Sequence, residues 1–279
     1  MKTPEQLKGT IRNIAISKHL HPQEVLQMFF FERILERLAL SRFQNNFILK
    51  GGLLISSMIG ISERTTMDMD TTVQGVRMEE KEITNVIKEI LVQDANDNIQ
   101  FIFKRIEYIC EDDTYNNFRV HIDGRYGRIN TPMKIDITTG DVITPAAIRY
   151  HYPCMFEDKT IPIMGYPLET ILAEKFETII RKNIATTRAR DFYDLYTLYL
   201  ERKGEINLAL LCSAIDHTVQ KRDSVAELEN RMEILQEIRE EPAIRHLWKI
   251  YAAENSYAGS IDFDLIMDVA DEIGTLLQN

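Results

Sequence analysis

Cysteine is scarce in the 279-residue chain: three are present, Cys110, Cys154 and Cys212, and no two stand at a CxxC spacing. That scarcity argues against a disulfide framework and a structural zinc site, and points to a reducing cytoplasm. Long apolar runs are missing too; none approaches the roughly 18 residues a membrane span requires. The opening "MKTPEQLKGTIRNIAI" carries neither a signal-peptide core nor a small-residue cleavage site, so we expect a cytoplasmic protein. Positive charge is in deficit. With a net charge of −10 the overall field repels nucleic acid, and any such contact must come from a local basic patch. What is present, 44% apolar and 27% charged residues, is a globular profile.

Pro4 opens a first helix, with Leu7, Ile11, Ile14 and Ala15 at helical spacing. His21 and Pro22 break it, and a second helix is predicted from Gln23 to Leu40. "NNFILK" then reads as a short buried strand, Gly51-Gly52 as a turn, "LLISSMI" as a short helix ended by Gly60, and "TMDMDTT" as the next strand. A helix from Met78 to Val92 follows. Three strands come next, "IQFIFKRIEYI", "FRVHI" and "MKIDIT", with "DGRYGR" as the turn between the last two. Pro153, Pro162, Gly165 and Pro167 mark a boundary, and everything after it reads as helix. The expected organisation is α+β: N-terminal helices over 1–45, a core over 46–165 and a helical C-terminal subdomain over 166–279.

The carboxylates of "DMD" carry the chemistry. Residues two apart share a strand face, so Asp68 and Asp70 point one way and Met67 and Met69 the other. Their Cα atoms would lie roughly 6.6–6.8 Å apart, close enough to converge on one cation or two neighbouring ones. Asp136, between Ile135 and Ile137, offers a third carboxylate on a strand predicted to neighbour the first. Such a hard-oxygen set suits Mg²⁺. For a single strand Asp, lining the wet face of a sheet is the better reading; the pair after a glycine turn shifts the balance toward function.

Gly51 and Gly52 let the backbone approach a phosphate, and N–H groups at a helix start favour an anion. Lys50 is a candidate phosphate partner, and Arg64 and Thr66 stand just ahead of the aspartates. Arg64 can pair with the carboxylates or with a triphosphate; the sequence leaves both open. Lys175 falls inside the apolar stripe of "PLETILAEKFETII", where a lysine either snorkels to water or reaches a phosphate. "RKNIATTRARDFYDLYTLY" packs Arg181, Lys182, Arg188 and Arg190 into an acid-free stretch, the densest basic run in the chain. Asp191 and Asp194 follow on one helix face, with Phe192, Leu195, Tyr196 and Tyr199 on the buried side.

Together these stretches resemble the AbiEii/AbiGii nucleotidyltransferase toxin family of the DNA polymerase β-like nucleotidyltransferase superfamily. The resemblance rests on "KGG" (Lys50–Gly52) with "RTT" (Arg64–Thr66), "DMD" (Asp68–Asp70), "ILAEK" ending at Lys175 and "RARDFYD" (Arg188–Asp194), in that order. Leu53 follows the glycines where the broader fold often places Ser or Thr, and Thr178 stands where alanine is usual; neither departure removes a charged group. The resemblance implies a nucleotidyltransferase-like core, a mixed sheet flanked by helices. It implies a Mg²⁺-dependent toxin of a toxin–antitoxin or abortive-infection system, active in phage defence, that moves a nucleotide from an NTP to an acceptor such as a tRNA 3′ end. A cognate antitoxin would be its partner. Asp68, Asp70 and Asp136 would hold the metal, with Asp136 alternatively the base. Lys50, Gly51, Gly52, Arg64 and Thr66 would cradle the triphosphate, and Lys175 would hold phosphates. Asp191 would assist the acceptor, and Arg188 and Arg190, beside Asp194, would grip it. Two alternatives are a non-catalytic module acting through a protein partner and a phosphotransferase using the same site.

Overall fold

The computed structural model describes residues 3–60, 62, 64–109 and 116–277; Cys110 lies outside them. The chain divides into two compact units, one formed by 1–141 with 147–165 and the other by 142–146 with 166–279.

The first unit opens with α1 (Pro4–Ser17), started by a capping box in which the Thr3 side chain and Gln6 satisfy each other's backbone N–H groups. It continues with α2 (Pro22–Leu40), β1 (Phe47–Lys50), α3 (Gly51–Ile59), β2 (Met69–Val73), α4 (Glu80–Leu91), β3 (Gln100–Ile109), β4 (Asn117–Tyr126), β5 (Ile129–Thr138), β6 (Ile148–Pro153) and β7 (Thr160–Gly165). The seven strands form one sheet in the order β3-β4-β5-β2-β1-β7-β6. It is mixed: β2 runs parallel to β5, β1 parallel to β7, and the other pairs are antiparallel.

Alternation along β4 buries Phe118, Val120 and Ile122 and leaves Arg119, His121 and Asp123 half-buried on the other face. Helix α2 covers the apolar side. A Cβ on Gly124 would fall 2.6 Å from the Phe30 ring, so the strand approaches the helix as closely as only glycine permits. Residues Gln27–Leu35 of α2 are buried all round, which a helix accepts when its charges are paired. Arg37 accordingly meets Asp97 with two hydrogen bonds of 2.7 Å.

The hairpin of β6 and β7 is where the sequence reading sees only prolines and glycines. Pro153 closes β6, the edge strand, and Pro162 stands in β7 ahead of the two residues, Met164 and Gly165, that pair with β1. Both prolines sit where no ladder N–H is required, which hides the strands from a pattern search. Cys154 follows β6 half-buried; burial, with Glu32 adding to it, pushes its thiol up to about 12, as an inert structural cysteine.

The second unit is helical, as the sequence predicts: α5 (Leu168–Lys182), α6 (Ala189–Glu201), α7 (Leu208–Lys221), α8 (Val225–Glu229), α9 (Arg231–Glu240), α10 (Pro242–Glu254) and α11 (Phe263–Leu276). The acidic stretch from Glu227 to Glu241 spans two helices, α8 and α9, parted at Asn230. Its core joins Phe176, Phe192, Leu198, Ile215, Leu235 and Ile266. Among the described residues no helix is long and apolar enough to cross a membrane.

Candidate active site

Strand β2 is shorter than its alternating pattern suggests. It starts at Met69, so Asp68 lies one residue ahead of it. Met67 is consequently 41% exposed while Met69 is buried, and the expected methionine face does not form. Asp68 and Asp70 are both half-buried. The ladder places Asp70 opposite Lys50 on β1 and opposite Asp136 on β5. The strand carrying Asp136 is thus the direct neighbour of the strand carrying Asp70.

The glycine turn is shaped by these residues. Gly51 begins α3 with φ +64, and a Cβ there would lie 2.8 Å from Asp70 Cγ. A Cβ on Gly52 would lie 2.7 Å from Thr66 Oγ1 and 2.9 Å from an Arg64 guanidinium nitrogen. The pair therefore seats Asp70, Thr66 and Arg64 against the helix start, and no side chain caps α3 there. Arg64 is buried and also donates to the Thr65 carbonyl, while Ser56 Oγ donates to the Arg64 carbonyl at 2.6 Å. Gly51→Ala is expected to cost about 1–2 kcal/mol from the left-handed backbone alone. It also displaces Asp70, so urea unfolding should show a destabilised protein with an altered site.

Two partners of the site have no signal of their own in the sequence. Asp141 meets Lys50 at 2.6 Å and accepts from Thr138 at 2.8 Å and from Thr72. Lys50 is thus held beside Asp70 by a carboxylate as well as by the ladder. Burial opposes the charge on Asp141, but Lys50 and the two threonines outweigh it and bring its carboxyl to about 2. A depressed acid contributes stability above its unfolded value, here 3.8, and loses it as pH falls toward about 2. Asp141→Asn should remove roughly 2 kcal/mol at neutral pH and only a small part of that near pH 2, read by urea unfolding at both.

Arg119 is the other partner. Its Nε and Nη2 donate to the two oxygens of Asp136 at 2.8 and 2.7 Å. Those hydrogen bonds hold the guanidinium above its ordinary value, with Asp68 adding to the field. The hairpin register could have revealed it: Tyr126 faces Ile129 across the turn, and counting seven residues back along each strand pairs Arg119 with Asp136.

Among the described residues no three His, Cys, Asp or Glu side chains stand together as a metal-holding group. Both oxygens of Asp136 are committed to Arg119, which leaves Asp68 and Asp70 as the carboxylate pair. That donor set fits Mg²⁺, which binds through one or two carboxylates and takes its other ligands from water and substrate phosphates.

In the second unit Lys175 neither snorkels nor stands alone. Its ammonium meets Asp191 at 2.5 Å and Asp194 at 2.8 Å. Burial works against the charge, but Asp194 and Asp191 outweigh it and raise the lysine above its ordinary value. The two aspartates are 8% and 0% exposed. Their helix face is therefore interior, because the lysine supplies a counter-charge there. Arg188 and Arg190 are exposed, whereas Arg181 is drawn to Glu177 at 2.6 Å.

A carboxylate pair beside an uncapped, glycine-started helix sets groups suited to a cation next to groups suited to an anion. The family model described as "Nucleotidyl transferase AbiEii toxin, Type IV TA system" matches residues 33–269. The chain belongs to this family of nucleotidyltransferases. A crystal structure of a candidate nucleotidyltransferase from H. pylori is similar in fold, with a TM-score of 0.51, 16% identity and coverage of 93% of this chain and 95% of that one. JHP933 from Helicobacter pylori superposes with a TM-score of 0.49 at 16% identity, over 93% and 92% of the two chains. No curated protein matches the chain. Membership in a type IV toxin–antitoxin family implies an antitoxin partner, and nucleotidyltransferases of this kind use an NTP and a divalent metal.

Proposed function

We propose that the protein is a Mg²⁺-dependent toxin of the cytoplasm that transfers a nucleotide from an NTP to the 3′ end of an RNA such as tRNA. Its action in phage defence would be restrained by a cognate antitoxin. The observation that carries the reading is the ladder register that sets Asp70 between Lys50 and Asp136, against the Gly51 turn. Asp68 and Asp70 would hold the cation, which when bound supplies charge for the α-phosphate and acidifies the attacking hydroxyl. The N–H groups of Gly51 and Gly52 receive the triphosphate at the start of α3, with Arg64 and Thr66 beside them. Lys50, steadied by Asp141, adds positive charge on the same side. Asp136 takes the hydroxyl proton once Arg119 turns to a phosphate. In the second unit Lys175, Asp191 and Asp194 are held by one another, and the exposed Arg188 and Arg190 would bind the RNA acceptor.

The test is incubation with total RNA and protein and an NTP labelled at the α or the γ position. Label from the α position in RNA 3′ ends is expected. Label from the γ position instead would mean phosphoryl transfer, and no label from either would leave a binding module.

A further inference from the structure

A cavity of about 350 Å³ opens on the first unit where β2 begins. β5 pairs with β4 along its whole length, but β2 joins it only from Ile135, opposite Met69. Ahead of Met69 the chain leaves the ladder, and Met67 and Asp68 line the cavity together with Met133 and Lys134. At the other end of the strand order the lining includes Lys104 and Arg105 of β3.

The lining has two characters. Met67, 41% exposed, offers an apolar surface that suits the flat face of a nucleobase, whereas Ile122 and Met133 beside it are buried. Lys104, Arg105 and Lys134 are exposed cations. Lys134 makes no ion pair among the described residues, and Lys104 reaches Asp123 only at 3.4 Å. Arg105 lies 3.2 Å from Glu107, and Asp68 and Asp123 share the lining; three exposed cations against those two acids still stand out on a chain with net charge −10, and a phosphate-bearing partner can use them.

Position then decides which substrate belongs there. The glycine turn lies on the β1 side of Asp70, and the cavity lies on the β5 side, toward β4 and β3. Displacement at phosphorus brings the nucleophile in from the side opposite the leaving group. With the triphosphate on the glycine turn, the acceptor arrives from the cavity. We propose that this cavity receives the terminal nucleotide of a single-stranded RNA acceptor, whose backbone then runs over Lys104, Arg105 and Lys134. The proposal rests on the transferase reading above. In the step it serves, the acceptor 3′-oxygen bonds to the α-phosphorus and the bond from that phosphorus to the bridging oxygen breaks. Pyrophosphate leaves with the electron pair, and the hydroxyl proton passes to Asp136.

The experiment measures binding of a short 5′-labelled single-stranded RNA to the full chain by fluorescence anisotropy across a salt series. Lys104→Glu with Arg105→Glu, and separately Lys134→Glu, are compared with wild type and with Lys249→Glu, an exposed lysine of α10. Each cavity variant should bind at least about tenfold more weakly, and the double variant should lower the salt slope by about 1.4, two single-strand phosphate contacts. Lys249→Glu should match wild type, and KM for NTP should not move in any variant. Lys134→Gln, a milder change, should give an intermediate loss while melting as wild type does. RNA affinity indifferent to the cavity variants overturns the proposal, as does transfer confined to a protein acceptor. If wild type binds RNA through these cations yet transfers no label, the transferase reading fails and the RNA site stands.

Discussion

Asp70→Asn is expected to reduce nucleotide transfer by at least about a thousandfold, equivalent to several kcal/mol of transition-state stabilisation. Asparagine keeps the shape and removes the charge. Asp70 sits where three constraints meet: Lys50 on one neighbouring strand, Asp136 on the other, and the Gly51 backbone against its carboxyl. A cation held by Asp68 and Asp70 would lose half of its carboxylate charge, and the amide cannot replace it. The fold should survive, because asparagine keeps the side chain's shape and its place at the Gly51 turn. Kinetics of α-labelled transfer beside a melting curve separates the effects. A variant that melts normally and turns over within about tenfold of wild type would show that Asp70 lies outside the reaction. Asp68→Asn should behave in the same way.

Lys175→Met is expected to cause the largest loss of stability, about 3–5 kcal/mol. The substitution leaves Asp191 and Asp194 buried, like-charged and without their cation. Because Lys175 is raised above its ordinary value of 10.5, its contribution is fully present below that pH and is lost as pH rises through the higher folded value. Combining Lys175→Met with Asp191→Asn and Asp194→Asn should recover most of the loss, since a buried triad replaced as a whole leaves no stranded charge. Urea unfolding of the single and triple variants checks this; a single variant as stable as wild type would mean the ion cluster does not support the second unit.

Strand alternation made much of the site legible. It put Asp136 on the polar face of its strand, and the parallel register then sets that residue level with Asp70. Gly51-Gly52 signals a turn, and the structure adds what needs the space: Asp70, Thr66 and Arg64. The helical stripe around Lys175 raised the question of its partner, which the i, i+3 aspartates of α6 answer. What escaped is long-range or irregular. Asp141 is one acid in a loop until Lys50, 91 residues earlier, is brought to it. Arg119 looks like any solvated residue of an alternating strand until the hairpin register is counted. The late start of β2 leaves no mark, because "MDMD" alternates whether or not its first residues join the sheet. The cavity beside Asp68 is a consequence of that late start.

On the proposed mechanism Asp68 and Asp70 anchor a divalent cation while the Gly51–Gly52 turn receives the triphosphate. A crystal structure with Mg²⁺ and a non-hydrolysable NTP analogue tests it most directly. The expected result is one cation bonded to both carboxylates and to a phosphate oxygen, with the triphosphate on the N–H groups of Gly51 and Gly52. A triphosphate seated away from the turn, or a cation with neither aspartate among its ligands, would contradict it.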